Sequence, residues 1–145
     1  MKNVNIVCTT KPGDGLLHYS YEHCCFLNDL GVNAKLVIVR DHRFSEQSYI
    51  NALNKSYVKF ENVVFDFYTP TSNDITLIMG RSQLTLAYLN KHTYNNDQLL
   101  TLHLLFSGNL ISVYSENHVR EYPIALQYFK PKKVIDLCDH DVYVN

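Results

Sequence analysis

The chain has 145 residues, 46% of them hydrophobic, with 13 Lys and Arg against 14 Asp and Glu for a net charge of -1. That length and apolar content predict one globular domain with its own core, and the charge balance excludes a global basic field for nucleic acid, so any DNA contact must be local. The four cysteines, Cys8, Cys24, Cys25 and Cys138, show no C-x-x-C spacing, and the start MKNVNIV carries no signal-peptide pattern. No apolar run approaches the roughly 20 residues that cross a bilayer. These features predict a reduced, cytoplasmic protein with free thiols and no membrane partner.

Residues 4–9 form a continuous apolar run with β-branched members, the pattern of a strand buried on both faces. A Gly-containing loop, KPGDG, leads from it into a helix predicted over residues 16–30. On that helix Leu16, Ser20, Cys24, Leu27 and Leu30 share one face at the 3.6-residue period, with His18, Glu22, Cys25 and Asp29 opposite. Gly31 ends it as a cap. AKLVIV (34–39) is a second buried strand, and Ser45 is the N-cap of a helix running to about Lys55. VKFENVVFDF (58–67) carries one or two strands, TPTSND (69–74) a loop, ITLIM (75–79) a strand and SQLTLAYLN (82–90) a helix.

Residues 95–108 offer an Asn or Asp cap and a terminal Gly, which favours a helix over one arm of a hairpin. LISVYS (110–115) is a further strand, Pro123 suits the first turn of a helix ending near Phe129, and KKVIDL (132–137) is the last strand. Alternation of strand and helix predicts an α/β domain: a mostly parallel sheet with helices on both faces and right-handed crossovers. Such a sheet binds ligands beyond the carboxyl ends of its strands, which here means residues 9–15, 40–43, 80–82, 115–118 and 138–141.

The loop at Gly13, Asp14 and Gly15 aims a helix N-terminus at its occupant. Orphan N–H groups and the positive end of the helix dipole favour an anion there, although an ordinary strand-to-helix turn has the same residues. It lacks the third glycine of a dinucleotide fingerprint and the lysine and hydroxyl of a P-loop. Asp41, His42 and Arg43 follow the second strand, where a nucleotide or acceptor is read or a solvated charge cluster sits. Arg81 is either a bidentate phosphate ligand or an exposed turn residue. Ser115, Glu116, Asn117 and His118 supply a general acid or base and hydrogen-bonding groups, or a capping turn. Cys138, Asp139, His140 and Asp141 have metal-ligand chemistry, but strand neighbours point to opposite faces and no second ligand pair has a recognised spacing. His23, Cys24 and Cys25 diverge around a helix in the same way, so Cys24 reads as core, and His103 reads as a core or boundary histidine.

The string DGLLHYSYEHCCFLNDLGVNAKLVIVRDHRF resembles the opening of two-domain glycosyltransferases of the GT-B class, nearest to the phage α-glucosyltransferases that modify hydroxymethylcytosine in DNA. The Gly loop, Tyr19, Ser20, Glu22 and Phe26, Gly31, the strand LVIV and the turn ending in Phe44 carry the resemblance. NDITLIM, NLISVYSENH and IDLCDHD are similar to later strands of the family's N-terminal domain. The resemblance implies a Rossmann-like N-terminal half of a GT-B fold that mainly holds the acceptor. A nucleotide-sugar such as UDP-glucose would be the substrate, with no bound cofactor and no metal. By matching positions, Gly13, Asp14 and Gly15 would face the donor diphosphate or sugar, and Glu116 and His118 would lie near the transferred sugar as catalytic groups. Lys11, Arg40, Arg43, Arg81 and Arg120 would contact acceptor or phosphate. The donor-binding domain lies outside these 145 residues, so a separate domain or a second copy of the chain is the implied partner, with DNA as an acceptor. The alternative is a non-catalytic Rossmann-like remnant that binds a protein or a nucleotide, including a small regulator that uses the Gly loop.

Overall fold

The computed structural model describes residues 3–56, 62–71, 74–79, 94–106, 110–114 and 133–136. Along these, β1 (Asn3–Cys8), α1 (Gly15–Asp29), β2 (Asn33–Ile38), α2 (Glu46–Leu53), β3 (Val63–Phe65), β4 (Ile75–Met79), α3 (Asn96–Phe106), β5 (Leu110–Tyr114) and β6 (Lys133–Asp136) follow one another. All six strands join one parallel sheet in the order β3-β2-β1-β4-β5-β6. The order runs outward from β1 in one direction and from β4 in the other, the doubly wound arrangement of Rossmann domains. The predicted α/β class therefore holds. The helices predicted over 82–90 and after Pro123 lie outside the described residues, as do 57–61 of the segment that supplies β3.

Side-chain alternation along β1 and β2 gives the sheet two covered faces. Ile6, Cys8, Leu36 and Ile38 are buried in one cluster with Leu17, Tyr21 and Cys24 of α1 and Tyr49 and Leu53 of α2. Asn5, Val7, Val37 and Val39 alternate with them and are buried as well. On that second face Thr76, in register with Asn5, donates its hydroxyl to the Leu105 carbonyl of α3 at 2.9 Å. The second face is thus covered by α3, whose Leu102 and Leu105 are fully buried.

Local chemistry explains where each helix begins and ends. Asp14 is the N-cap of α1, its carboxylate accepting from the Leu16 N–H at 3.0 Å. The helix closes on a Schellman turn, with Val32 N–H donating to the Leu27 carbonyl, Gly31 N–H donating to that of Asn28, and Gly31 at φ +85°. Asn28 then fixes the turn into β2, bonding both the N–H and the carbonyl of Ala34. Ser45 caps α2 as predicted, and the helix stops at Leu53, two residues short of Lys55. Residues 95–108 form a helix rather than a hairpin arm. Asn95 accepts from the Gln98 N–H and Gln98 accepts from the Asn95 N–H, both at 2.9 Å, a reciprocal capping box.

The buried stripe of α1 differs from the predicted one. Leu17, Ser20, Tyr21 and Cys24 are buried, Leu16 and Leu27 are half-buried, and Leu30 is 64% exposed. Both stripes have helical spacing, so periodicity does not choose between them; insertion of Leu17 and Tyr21 against β1 and β2 does. Leu30 is the C-cap, where the chain has already turned away from the sheet. Ser20 is accommodated in the core because its hydroxyl donates to the Leu16 carbonyl at 2.7 Å.

At the amino end of the sheet Asp74 anchors Tyr68 and Thr71. Its carboxylate accepts from Asn5 Nδ2 at 2.8 Å, from Asn3 Nδ2 and the Tyr68 hydroxyl at 3.3 Å, and from the Thr71 N–H and hydroxyl. Lys35 Nζ lies 4.8 Å from the Tyr68 ring centroid on the same face. No helix among the described residues is long and apolar enough to cross a membrane.

Candidate functional site

Parallel strands bring all their carboxyl ends to one edge, so the loops that follow them converge there. Among the described residues that edge is built from 9–14 after β1, 40–44 after β2, Asp66 after β3, and 94–98 at the start of α3. The order reverses between β1 and β4, where doubly wound sheets open a crevice.

The loop after β1 uses its own carboxylate at the helix N-terminus. Asp14 takes the Leu16 N–H on its side chain and the Leu17 N–H on its carbonyl. Two of the donors that an anion would engage are therefore already bonded within the chain. Gly13 and Gly15 face outward, and a Cβ at either would meet no protein atom within 4 Å. Packing inside the described fold does not demand glycine at these positions. An open depression of about 560 Å³ lies there, lined by Lys11, Pro12, Gly13 and Asp14 on one wall and Phe44 and Ser48 on the other.

The loop after β2 consumes both of its arginines. Arg40 donates Nε to Asp66 at 2.7 Å, its N–H to the same carboxylate at 2.9 Å, and Nη1 to the Phe44 carbonyl at 2.6 Å. Asp66 sits at φ +65° to receive them, a left-handed conformation that Asp tolerates better than most residues. Arg43 donates Nε to both oxygens of Asp41, at 3.0 and 3.2 Å, and its N–H to one of them. Asp41 is 4% exposed, and its hydrogen bond from the Arg43 side chain holds it below the ordinary value of 3.8 despite burial. A carboxyl depressed in the folded state contributes stability above 3.8 that is lost as pH falls through the folded value. Urea midpoints followed from pH 5 to pH 2 should therefore drop more steeply for the wild type than for Arg43→Ala; parallel curves would contradict the pairing.

His42 is exposed beside this ion pair. The predicted cluster at 41–43 is thus one buried carboxylate gripped by an arginine whose side chain remains 62% exposed. Lys11 is exposed on the rim of the depression. Glu116, His118, Arg81 and Arg120 lie outside the described residues, as do 138–141.

No protein-family model, no curated protein and no solved structure matches the chain.

Among the described residues, burial holds the thiol and phenol groups near this edge in their neutral forms. Burial pushes the Cys8 thiol up, against its contact with Thr10 Oγ1 at 3.1 Å, so it stays protonated near neutral pH. Burial likewise raises the Tyr94 hydroxyl and lifts that of Tyr49 to about 12. Cys8, Cys24 and Cys25 form no disulfide among the described residues. His23 and Cys25 are half-buried on α1, burial lowers the histidine's pKa, and His103 is half-buried on α3. No group of three His, Cys, Asp or Glu among the described residues could hold a metal ion.

Sequence reasoning missed four residues that organise the edge: Tyr49, Asp66, Tyr94 and Gln98. Gln98 is fully buried, and its Nε2 donates to the Arg40 carbonyl at 2.9 Å and to Asp66 at 2.7 Å. Its spacing from Asn95 was a visible capping signal. Asp66 and the two tyrosines carry no local signal, because their partners are remote in sequence.

Proposed function

We propose that the chain is the acceptor-side half of a nucleotide-sugar-dependent glycosyltransferase, with the depression between Lys11 and Ser48 as its sugar-bearing ligand site. The observation that carries this reading is the position of the depression: at the carboxyl edge of a sheet in Rossmann order, walled by the Gly loop and the loop after β2. Its chemistry suits a hydroxyl-rich ring. Pro12 and Phe44 offer carbon faces, while the Asp14 carboxylate, the Lys11 ammonium and the Ser48 hydroxyl offer acceptors and donors around them. In the reaction, the acceptor hydroxyl bonds to the anomeric carbon as the bond to the nucleoside diphosphate breaks, and a base takes the hydroxyl proton. Glu116 and His118 are assigned to that end of the reaction by the glycosyltransferase resemblance. A UDP-sugar is the donor and hydroxymethylated phage DNA an acceptor, with the donor half supplied by a separate domain or a second copy.

The pairing of Arg40 with Asp66 and of Arg43 with Asp41 supports a second reading, a non-catalytic Rossmann-like module for a nucleotide or a protein. Calorimetric titration of the chain with UDP, UDP-glucose and hydroxymethylated DNA separates the two. The first reading expects UDP-glucose or the DNA to bind, with amide shifts at 11–15 and 44–48. Binding of UDP alone as tight as that of UDP-glucose, with inert DNA, favours the module. Silence from all three at millimolar ligand sinks the glycosyltransferase reading for this chain.

A further inference from the structure

One hydroxyl stands behind both walls of the depression. Tyr49 projects from α2 with its ring fully buried, edge-on to Phe65 with the centroids 6.3 Å apart. Its hydroxyl donates to the Thr10 carbonyl at 2.9 Å and accepts from the Asp41 N–H at 3.2 Å. Thr10 immediately precedes the Lys11 to Asp14 wall. Asp41 carries the other: its carbonyl accepts from the Phe44 N–H at 2.9 Å, and Arg40 holds the Phe44 carbonyl from the far side. A second tyrosine, Tyr94, donates to the neighbouring Thr9 carbonyl at 3.1 Å but has no bond to the loop after β2 among those described.

We propose that Tyr49 is a positioning residue that sets the spacing between the two walls of the depression, and so its fit to a sugar-bearing ligand. The ligand class rests on the glycosyltransferase reading; the spacing role does not. Val39 N–H donates to the Cys8 carbonyl at 2.9 Å and joins the two loops at their bases, and the start of α3 holds Thr9 through Tyr94 and Arg40 through Gln98; beyond those ties, Tyr49 is the side chain among the described residues whose one hydroxyl bonds both loops. The tyrosine ring supplies packing, and the oxygen supplies registration between loops. Those two contributions are separable, because phenylalanine keeps the ring and removes the oxygen.

Hydrogen exchange of full-length Tyr49→Phe is the direct test. The Asp41 N–H loses its acceptor, so exchange at Asp41, Phe44 and Asp14 should rise about fivefold, the factor that corresponds to one lost hydrogen bond of typical net strength. Amides of Ile6 and Val37 in the sheet should keep their wild-type protection. Tyr94→Phe serves as the second variant: it should loosen 9–14 and leave 41–44 protected. Unchanged exchange in both loops of Tyr49→Phe overturns the proposal, and so does a uniform rise that includes the sheet, which would make the hydroxyl a general stabiliser. Opening of 41–44 in Tyr94→Phe also overturns it, and this outcome can be read even if Tyr49→Phe does not fold. With UDP-glucose and hydroxymethylated DNA as probes, the Kd for whichever binds should rise about fivefold in Tyr49→Phe. If neither probe binds the wild type while the loop-specific exchange appears, the spacing role stands and the glycosyltransferase reading falls.

Discussion

Asp74→Ala is expected to destabilise the protein by about 3 kcal/mol, the range for removing one partner of a buried polar network. Asp74 is 3% exposed and its carboxylate gathers bonds from Asn3, Asn5, Tyr68 and Thr71. Asn5 is itself fully buried, and its Oδ1 already lacks a protein partner, so alanine would leave its amide N–H groups unpaired too. Asp74→Asn should lose somewhat less, since one oxygen remains, but it sets a second amide nitrogen against Asn5 or Thr71. Burial pushes the Asp74 carboxyl up, yet the bonds from Thr71, Asn5 and Asn3 together hold it below 3.8. Its contribution is therefore complete above that value and disappears as pH falls through the lower folded one. Urea denaturation at neutral pH measures the loss. A change under about 1 kcal/mol would show that solvent replaces the network.

Asp66→Ala is expected to cost about 3 kcal/mol as well, from two separate sources. Alanine takes away one of the two acceptors of the Arg40 guanidinium and of the buried Gln98 amide, and the acceptor of the Arg40 N–H. It also has to hold a left-handed backbone, which costs a residue with a plain Cβ roughly 1 kcal/mol. Asp66→Asn isolates the terms: asparagine tolerates the conformation and can keep the bonds from the Arg40 N–H and Gln98, losing only the ion pair. It should recover at least half of the stability. Equal losses for alanine and asparagine would place the whole effect in the Arg40 ion pair, against the strain argument. Because Arg40 also holds the Phe44 carbonyl, both variants should raise exchange in 40–44.

The features that could be recognised from sequence share a physical basis. Ser45, Asn95 with Gln98, and Gly31 act on backbone groups within a few residues, so their roles follow from adjacent chemistry. Buried β-branched runs at 4–9 and 34–39 announce strands covered on both faces, which in an alternating chain implies a parallel sheet. The α1 stripe shows the limit of that inference. Leu16 and Leu17 belong to two equally good helical stripes, and only the sheet beneath selects Leu17 with Tyr21. The arginines show it again, since Arg40 and Arg43 have the residue type of phosphate ligands until Asp66 and Asp41 are seen to hold them.

Sequence by itself determined the order of the described strands and helices, the caps at Ser45, Asn95 and Gly31, and the α/β class, and it directed the search for ligand chemistry to the carboxyl edge of the sheet. Tertiary structure alone decided how that edge is assembled. Its ties span 26 residues from Arg40 to Asp66, 39 from Tyr49 to Thr10, 58 from Gln98 to Arg40 and 85 from Tyr94 to Thr9. Local propensity carries no information about partners at such separations. They meet because the crossovers of a doubly wound sheet return every strand's end to the same place.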